Sequence, residues 1–216
     1  NVYLSQENKD LKRILEEHNV NVEEVGCEVN TKGCLLHSKS NSAMLSPNQE
    51  IEEYLFESGY DIIKMKNRFG GQQDIIFTHE SRQMWIGCGF QTQEAIVSEL
   101  EQLFEDTQMK KLNLKDKSFE TLESCFCPLE GNRVMVYMNA FDNESIERIR
   151  SVYTEIIEVS RSDALRGVCN GLQLPDNTLI LPKSSWSLID ELDESVKRII
   201  HYENPQVKSE ILISQV

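Results

Sequence analysis

The sequence is short of basic residues. Lys and Arg number 22 against 36 Asp and Glu, a formal charge of −14, and a chain without clustered cations cannot neutralise a phosphate backbone, which argues against a nucleic-acid partner. The same acidic excess attracts cations at long range, and it serves plain solubility equally well. Long apolar runs are also missing: the longest are a handful of residues, too short to span a bilayer, so no membrane partner is expected. No basic n-region leads into an apolar h-region at the start, and the expected location is the cytoplasm. No Gly/Ser/Pro-rich linker interrupts the chain, so residues 1–216 read as one domain. Metal-site spacing is absent as well. Cys125-Phe126-Cys127 is CxC rather than CxxC, and no second pair with His completes a zinc site, so neither metal nor cofactor is expected. The six cysteines (Cys27, Cys34, Cys88, Cys125, Cys127, Cys169) lie mostly in apolar strand-like runs, and a chain this size needs no staples; they read as reduced, buried small hydrophobes.

What is present is a recurring order of elements. Ser5 is placed to cap a helix over about Gln6 to His18, with Leu11, Ile14 and Leu15 on one face, before a strand near Val22 to Val29. Then come Cys34 to His37, a helix opened by Ser46-Pro47 through Ile51, Tyr54, Leu55 and Phe56, and a strand Tyr60 to Met65. The next unit runs Asp74 to Phe77, Met84 to Cys88, a helix capped by Thr92 carrying Ala95, Ile96, Leu100 and Leu103, and Met109 to Leu114. A third runs Ser124 to Leu129, Val134 to Met138, a helix after Asp142, and Ile156 to Val159. A fourth runs Gly167 to Leu172, Thr178 to Pro182, a helix after Ser184, and Arg198 to Tyr202. First strands begin near residues 26, 74, 124 and 167, a spacing of about 43 to 50 residues, the mark of units that bury their faces on one another. The front helix and strand and the last strand, Glu210 to Ser214, together make a further unit. The expectation is an α/β fold, a five-fold pseudo-symmetric ring of ββαβ units whose closure pairs the first and last segments and removes sheet edges.

Phe119-Glu120-Thr121-Leu122-Glu123-Ser124-Cys125-Phe126-Cys127-Pro128-Leu129 is the stretch with most chemistry: an apolar strand preceded by a polar Thr-x-Glu at its mouth. The acidic run Asp190 to Glu194 reads as a solvated helix face.

These residues resemble the pentein superfamily of guanidino-group-modifying enzymes, which includes arginine and glycine amidinotransferases, arginine deiminases and dimethylarginine dimethylaminohydrolases. Phe69-Gly70-Gly71-Gln72-Gln73-Asp74 is similar to the family's Phe-Glu-Gly-x-Gly-Asp, and Met84 to Thr92 to its Leu-Trp-x-Gly-x-Gly-x-Arg-Thr. Phe119 to Leu129 is similar to Phe-x-His-Leu-Asp-Thr-x-Phe-Cys-Pro-Leu, and Val168-Cys169-Asn170 with Leu179 to Pro182 to Ala-Cys-Asn-Ala and its Leu-Pro strand. The resemblance implies an α/β propeller, an arginine-like or other cationic small-molecule ligand, and carboxylates that fork its nitrogens. It also implies a Cys thiolate near the C-terminus, served by a His as acid and base.

By the same resemblance the site residues are Asp74, Glu123 and Thr121 for chemistry, with Asp74, Phe69, Gln91 and Asn170 for ligand binding. The sequence departs from the pattern where catalysis depends on it. Thr121 stands at the His position, and a hydroxyl takes no proton near neutral pH. Glu123 replaces the paired Asp, Gly70 the second acid, and Gln91 the Arg that meets a substrate carboxylate. No Cys follows Cys169, which itself matches a structural position. The expectation is a catalytically impaired or dead relative retained as a binding or interaction module, with Asp74 and Glu123 converging and no thiol meeting them. The alternative is an active amidinohydrolase or amidinotransferase with a rearranged site, using His79 or His201 as base or a Cys outside these residues. A third reading is a scaffold that binds a protein partner.

Overall fold

The computed structural model describes residues 2–5, 9–19, 22–25, 33–37, 40–47, 51–78, 82–174, 176–182, 186–193, 196, 198–202 and 211–213. Its strands form five three-stranded sheets. The first combines β1 (Val2–Ser5) and β2 (Val22–Val25), which flank helix α1 (Lys9–Glu17), with β15 (Ile211–Ile213) from the far end of the chain. Strand β15 runs antiparallel to β1, with Val2 opposite Ile213 and Leu4 opposite Ile211. The second holds β3 (Cys34–His37), β4 (Ser42–Leu45), α2 (Glu52–Glu57) and β5 (Asp61–Lys64). The third holds β6 (Ile75–Thr78), β7 (Gln83–Cys88), α3 (Ile96–Leu103) and β8 (Gln108–Asn113). The fourth holds β9 (Phe126–Leu129), β10 (Arg133–Val136), α4 (Asn143–Val152) and β11 (Glu155–Glu158). After α5 (Arg161–Leu165), the fifth holds β12 (Leu172–Gln173), β13 (Thr178–Pro182), α6 (Trp186–Asp193) and β14 (Arg198–Tyr202).

The same wiring recurs. An antiparallel pair leads into the central strand, and a helical crossover returns the chain to a parallel third strand, as in β9–β10 and β10–β11 or β12–β13 and β13–β14. A parallel partner requires such a crossover, and the helix then covers one sheet face. Central strands buried on both faces read as continuous apolar runs. Thr178–Pro182 is buried at every position and has the limits its apolar run implies; Arg133–Val136 is equally buried but is displaced from the expected Val134 to Met138, because Met138 opens a 3-10 turn.

The described residues divide into two compact units. One comprises Asn1–Ile86, Gln91–Met109 and Val207–Val216, the other Gly87–Phe90 and Lys110–Gln206. The first has a core of Cys34, Leu36, Ala43, Leu45, Ile51, Leu55 and Tyr60, against which Tyr54 and Ile62 pack. In the second, Phe126 meets Phe141 and Tyr153 edge-on at ring-centroid distances of 6.3 and 5.9 Å, the geometry that aromatic quadrupoles favour.

Asp142 caps α4 as its position implied. Its Oδ1 accepts from Ser145 N at 2.8 Å and its Oδ2 from Asn113 Nδ2 at 2.9 Å, while Ser145 Oγ accepts from Asn113 N at 2.8 Å. Partial burial opposes the charged form, but these donors outweigh it and hold the carboxyl below its ordinary range. A carboxyl depressed by folding contributes stability above its unfolded pKa and loses it as pH falls through the folded one. Asp142→Ala is expected to cost about 1–2 kcal/mol, and to remove that part of the acid sensitivity, in denaturant melts taken between pH 7 and pH 3.

Several elements differ from expectation. The second helix begins at Glu52 rather than at Ser46-Pro47, with residues 48–50 outside the described set. Helix α3 begins at Ile96 behind Ala95, which makes no side-chain cap; Thr92 is occupied elsewhere. Ser124 and Gly167 do not open strands. Each first strand of three units is entered by one 3-10 turn, Gly71–Gln73, Leu122–Ser124 and Val168–Asn170. Helix α5 has no counterpart in the expected units, although its signal is local: Ser160 caps it, its Oγ accepting from Asp163 N at 3.1 Å and donating to Asp163 Oδ2 at 2.7 Å. The Ser5 side chain and most of the strand expected to extend to Val29 lie outside the described residues, as do His79 and Cys27.

Candidate ligand site

The 3-10 turns carry the polar groups. In the first unit, Phe69, Gly70 and Asp74 bracket Gly71–Gln73, and Phe69 (2%) and Asp74 (0% exposed) are buried. Backbone hydrogen bonds stitch the approach to this turn onto the segment that leads into α3. Glu99 accepts from Lys66 N at 2.8 Å and from Asn67 N at 3.0 Å, Gln93 Oε1 from Arg68 N at 2.9 Å, and Thr92 Oγ1 from Gly70 N at 2.8 Å. The Thr92 hydroxyl then donates to Asp74 Oδ2 at 2.6 Å, a short buried hydrogen bond. A Cβ at residue 70 would collide with Asp74 Oδ2 and lie 2.9 Å from Asp74 Cγ. Glycine at position 70 is thus what lets the Asp74 carboxylate fold back onto Thr92. Gln91 belongs to the same unit and is half-buried.

Thr121, Glu123 and Asn170 belong to the second unit. Thr121 is extended (φ −126°, ψ 151°) and precedes the turn Leu122–Ser124. Ser124 Oγ closes that turn by donating to the Thr121 carbonyl at 2.6 Å, and Cys125 N donates to Leu122 O at 3.1 Å. This leaves Thr121 and Glu123 half-buried beside fully buried Leu122 and Cys125. The turn Val168–Asn170 packs against Leu122–Ser124 and against β9, so Glu123 and Asn170 sit on adjoining turns. The buried Oδ1 of Asn170 has no hydrogen-bond partner among the described residues. An orphaned buried carbonyl of this kind costs about 1–3 kcal/mol until a donor reaches it.

Cysteine surrounds these turns without being activated. Cys34, Cys88, Cys125, Cys127 and Cys169 are all buried and unbridged. Burial pushes the thiols of Cys34 and Cys127 up to about 12. Burial, reinforced by Cys125 and Cys127 nearby, raises Cys169 well above its ordinary value. Cys127 Sγ lies 3.5 Å from the Gly171 carbonyl and Cys125 Sγ 3.5 Å from the Leu122 carbonyl, each an S–H donor rather than a thiolate. A thiol reagent at neutral pH is expected to leave these five cysteines unmodified in the native state and to label them on denaturation, as read by peptide mass mapping. Native labelling of Cys125 or Cys169 at low reagent concentration would reinstate them as nucleophiles.

Among the described residues no group of three or more His, Cys, Asp or Glu is arranged to hold a metal ion, and no helix is long and apolar enough to cross a membrane. The chemistry on offer is hydrogen-bond acceptance beside negative charge. Sequence reasoning placed Asn170 by resemblance, but its orphaned oxygen, and the latch from Gly70 through Thr92 to Asp74, had no sequence signal beyond the residue types.

No protein-family profile matches the chain. By sequence it is 31% identical over 144 residues to the bifunctional arginine dihydrolase/ornithine cyclodeaminase ArgZ of Synechocystis sp., an alignment covering 64% of this chain and 20% of that protein. The chain spans about one fifth of the length of the curated relatives it matches. By structure it is similar to apo ArgZ, with TM-score 0.86 at 22% identity over 100% of this chain and 39% of that one. It is also similar to DDAH from Pseudomonas aeruginosa complexed with citrulline, with TM-score 0.68 at 14% identity over 98% and 97% of the two chains. The five repeated sheets, the four motifs and these likenesses agree: the chain has the pentein α/β-propeller fold, which it shares with the arginine dihydrolase ArgZ and with DDAH.

Proposed function

We propose that this chain is a ligand-binding pentein that holds the guanidinium group of an arginine-like cation without turning it over. The observation that carries the reading is the pairing of adjoining turns in the second unit. One presents the Glu123 carboxylate, the other a buried carbonyl oxygen, Asn170 Oδ1, that lacks a donor. Two acceptors, one of them charged, suit a planar cation rich in N–H groups. The formal charge of −14 adds long-range attraction for such a ligand. In this reading Thr121 lines the entrance to the same turn. Asp74 and Phe69 flank the corresponding turn of the first unit, to which Gln91 also belongs, and Asp74 acts through the Thr92 latch and not by direct contact.

Loss of turnover rests on two features. Thr121 offers no proton acceptor where the resemblance implies one, and the five described thiols are buried, with burial pushing those of Cys34, Cys127 and Cys169 up. The arginine dihydrolase activity in the name of ArgZ supports the competing reading, an active enzyme with a different nucleophile. Titration calorimetry with L-arginine, methylated arginines and agmatine, followed by assay of the same samples for citrulline and urea, separates them. Saturable binding with no product supports the binding module; product formation dependent on the protein overturns it.

A further inference from the structure

We propose that Arg161 receives the carboxylate of the bound ligand, which makes the site selective for a zwitterionic guanidino acid over a simple guanidinium. This deepens the binding reading above and rests on it. Strand register supplies the placement. Phe126 at the start of β9, Val136 at the end of β10 and Glu158 at the end of β11 lie in one row across the sheet. The segment Thr121 to Cys125 enters that row on one side of β10, and Val159 to Arg161 leaves it on the other, so both lie at the same end of the sheet's strands. Val159 N donates to Val136 O at 2.9 Å and Tyr137 N to Cys125 O at 2.9 Å, which extends the pairing outward in both directions. Helix α5, which Arg161 opens, packs against the Val168–Asn170 turn, and that turn packs against Leu122–Ser124.

The guanidinium of Arg161 is held in place and still half-exposed. Its carbon lies 5.9 Å from the centroid of the buried Phe119 ring, two residues before Thr121. Its Nη2 donates to Ser118 Oγ at 2.7 Å and lies 3.8 Å from Asp116 Oδ2, with 51% of the side chain exposed. Ring and hydroxyl remove much of the rotamer freedom that a long cationic side chain must lose on binding. The Asp116 pair is long and solvated, so it competes weakly with an incoming carboxylate. One end of the sheet thus carries a carboxylate and an orphaned acceptor for a cationic end, and a braced cation for an anionic end. Gln91, where the resemblance places an Arg, supplies no such charge.

L-arginine and agmatine, which is arginine without its carboxylate, provide the test by titration calorimetry. The wild-type chain is expected to bind arginine about tenfold or more tighter than agmatine, the return on one charge-assisted pair. Arg161→Gln is expected to bring arginine down to the agmatine level with agmatine unchanged, and Arg161→Lys to recover part of the preference. Equal affinities in the wild type, or equal losses for both ligands in Arg161→Gln, overturn the proposal while leaving the binding reading intact. Binding of neither ligand by the wild type overturns both. Asp116→Asn guards against a purely structural effect. It is expected to keep or raise arginine affinity, and a fall matching that of Arg161→Gln would show that Arg161 serves only to brace the Asp116 to Phe119 segment.

Discussion

Gly71→Ala is expected to destabilise the protein by about 3 kcal/mol or more, measured as a shift in urea midpoint at unchanged slope. Two effects add. Gly71 has φ +67°, where an L side chain is strained by roughly 1–2 kcal/mol. Its missing Cβ would also strike the backbone N and O of Cys34 and lie 2.8 Å from the Cys34 carbonyl carbon. Cys34 opens the pair β3–β4, buried at every position except His37, so its backbone cannot give way as a flexible side chain would. Gly70→Ala provides the contrast. There the obstacle is the side chain of Asp74 rather than backbone, so a smaller cost is expected. Equal effects at the two positions would show that the turn is not pressed against β3 as described.

Glu123→Gln is expected to weaken L-arginine binding by about 100-fold with little change in the urea midpoint. Gln keeps the shape and removes the charge, and breaking a close pair in a partly desolvated site costs on the order of 2–5 kcal/mol. Glu123 is half-buried, Ser124 Oγ closes its turn on the Thr121 carbonyl, and Gln keeps the shape, so folding should tolerate the change. Asn170→Ala is expected to weaken binding less and to leave stability nearly unchanged, because it deletes a buried acceptor that has no partner among the described residues. A Glu123→Gln variant that binds arginine as tightly as the wild type would place the cationic end elsewhere.

The repeat of ββαβ units was legible because central strands buried on both faces leave uninterrupted apolar runs. Thr178–Pro182, a central strand, has the limits its apolar run implies; Arg198–Tyr202 also has the expected limits, although it is an outer, partly exposed strand. The turns that carry the site were not legible. Thr121-Leu122-Glu123 alternates polar and apolar like the mouth of a strand, yet Leu122–Ser124 is a 3-10 turn fixed by a serine hydroxyl on a backbone carbonyl, a local bond with no periodic signature. Thr92 failed as a cap for a related reason. Its residue type suits a helix start, but tertiary structure gave its hydroxyl to Asp74 and Gly70, and α3 begins four residues later. The resemblance to penteins identified which positions matter. It could not show that Asp74 would be sealed in the interior while Glu123 and Asn170 stayed half-buried on packed turns.

The central claim is binding without turnover at the Glu123 and Asn170 turns, and carbon NMR of L-arginine labelled at its guanidino carbon tests both halves in one sample. The account predicts that the labelled resonance broadens or shifts as protein is added, that Glu123→Gln abolishes this response, and that no new carbon signal grows in over a day. A new ureido, urea or carbonate carbon that appears with the wild-type protein, and not with a buffer control, would contradict it.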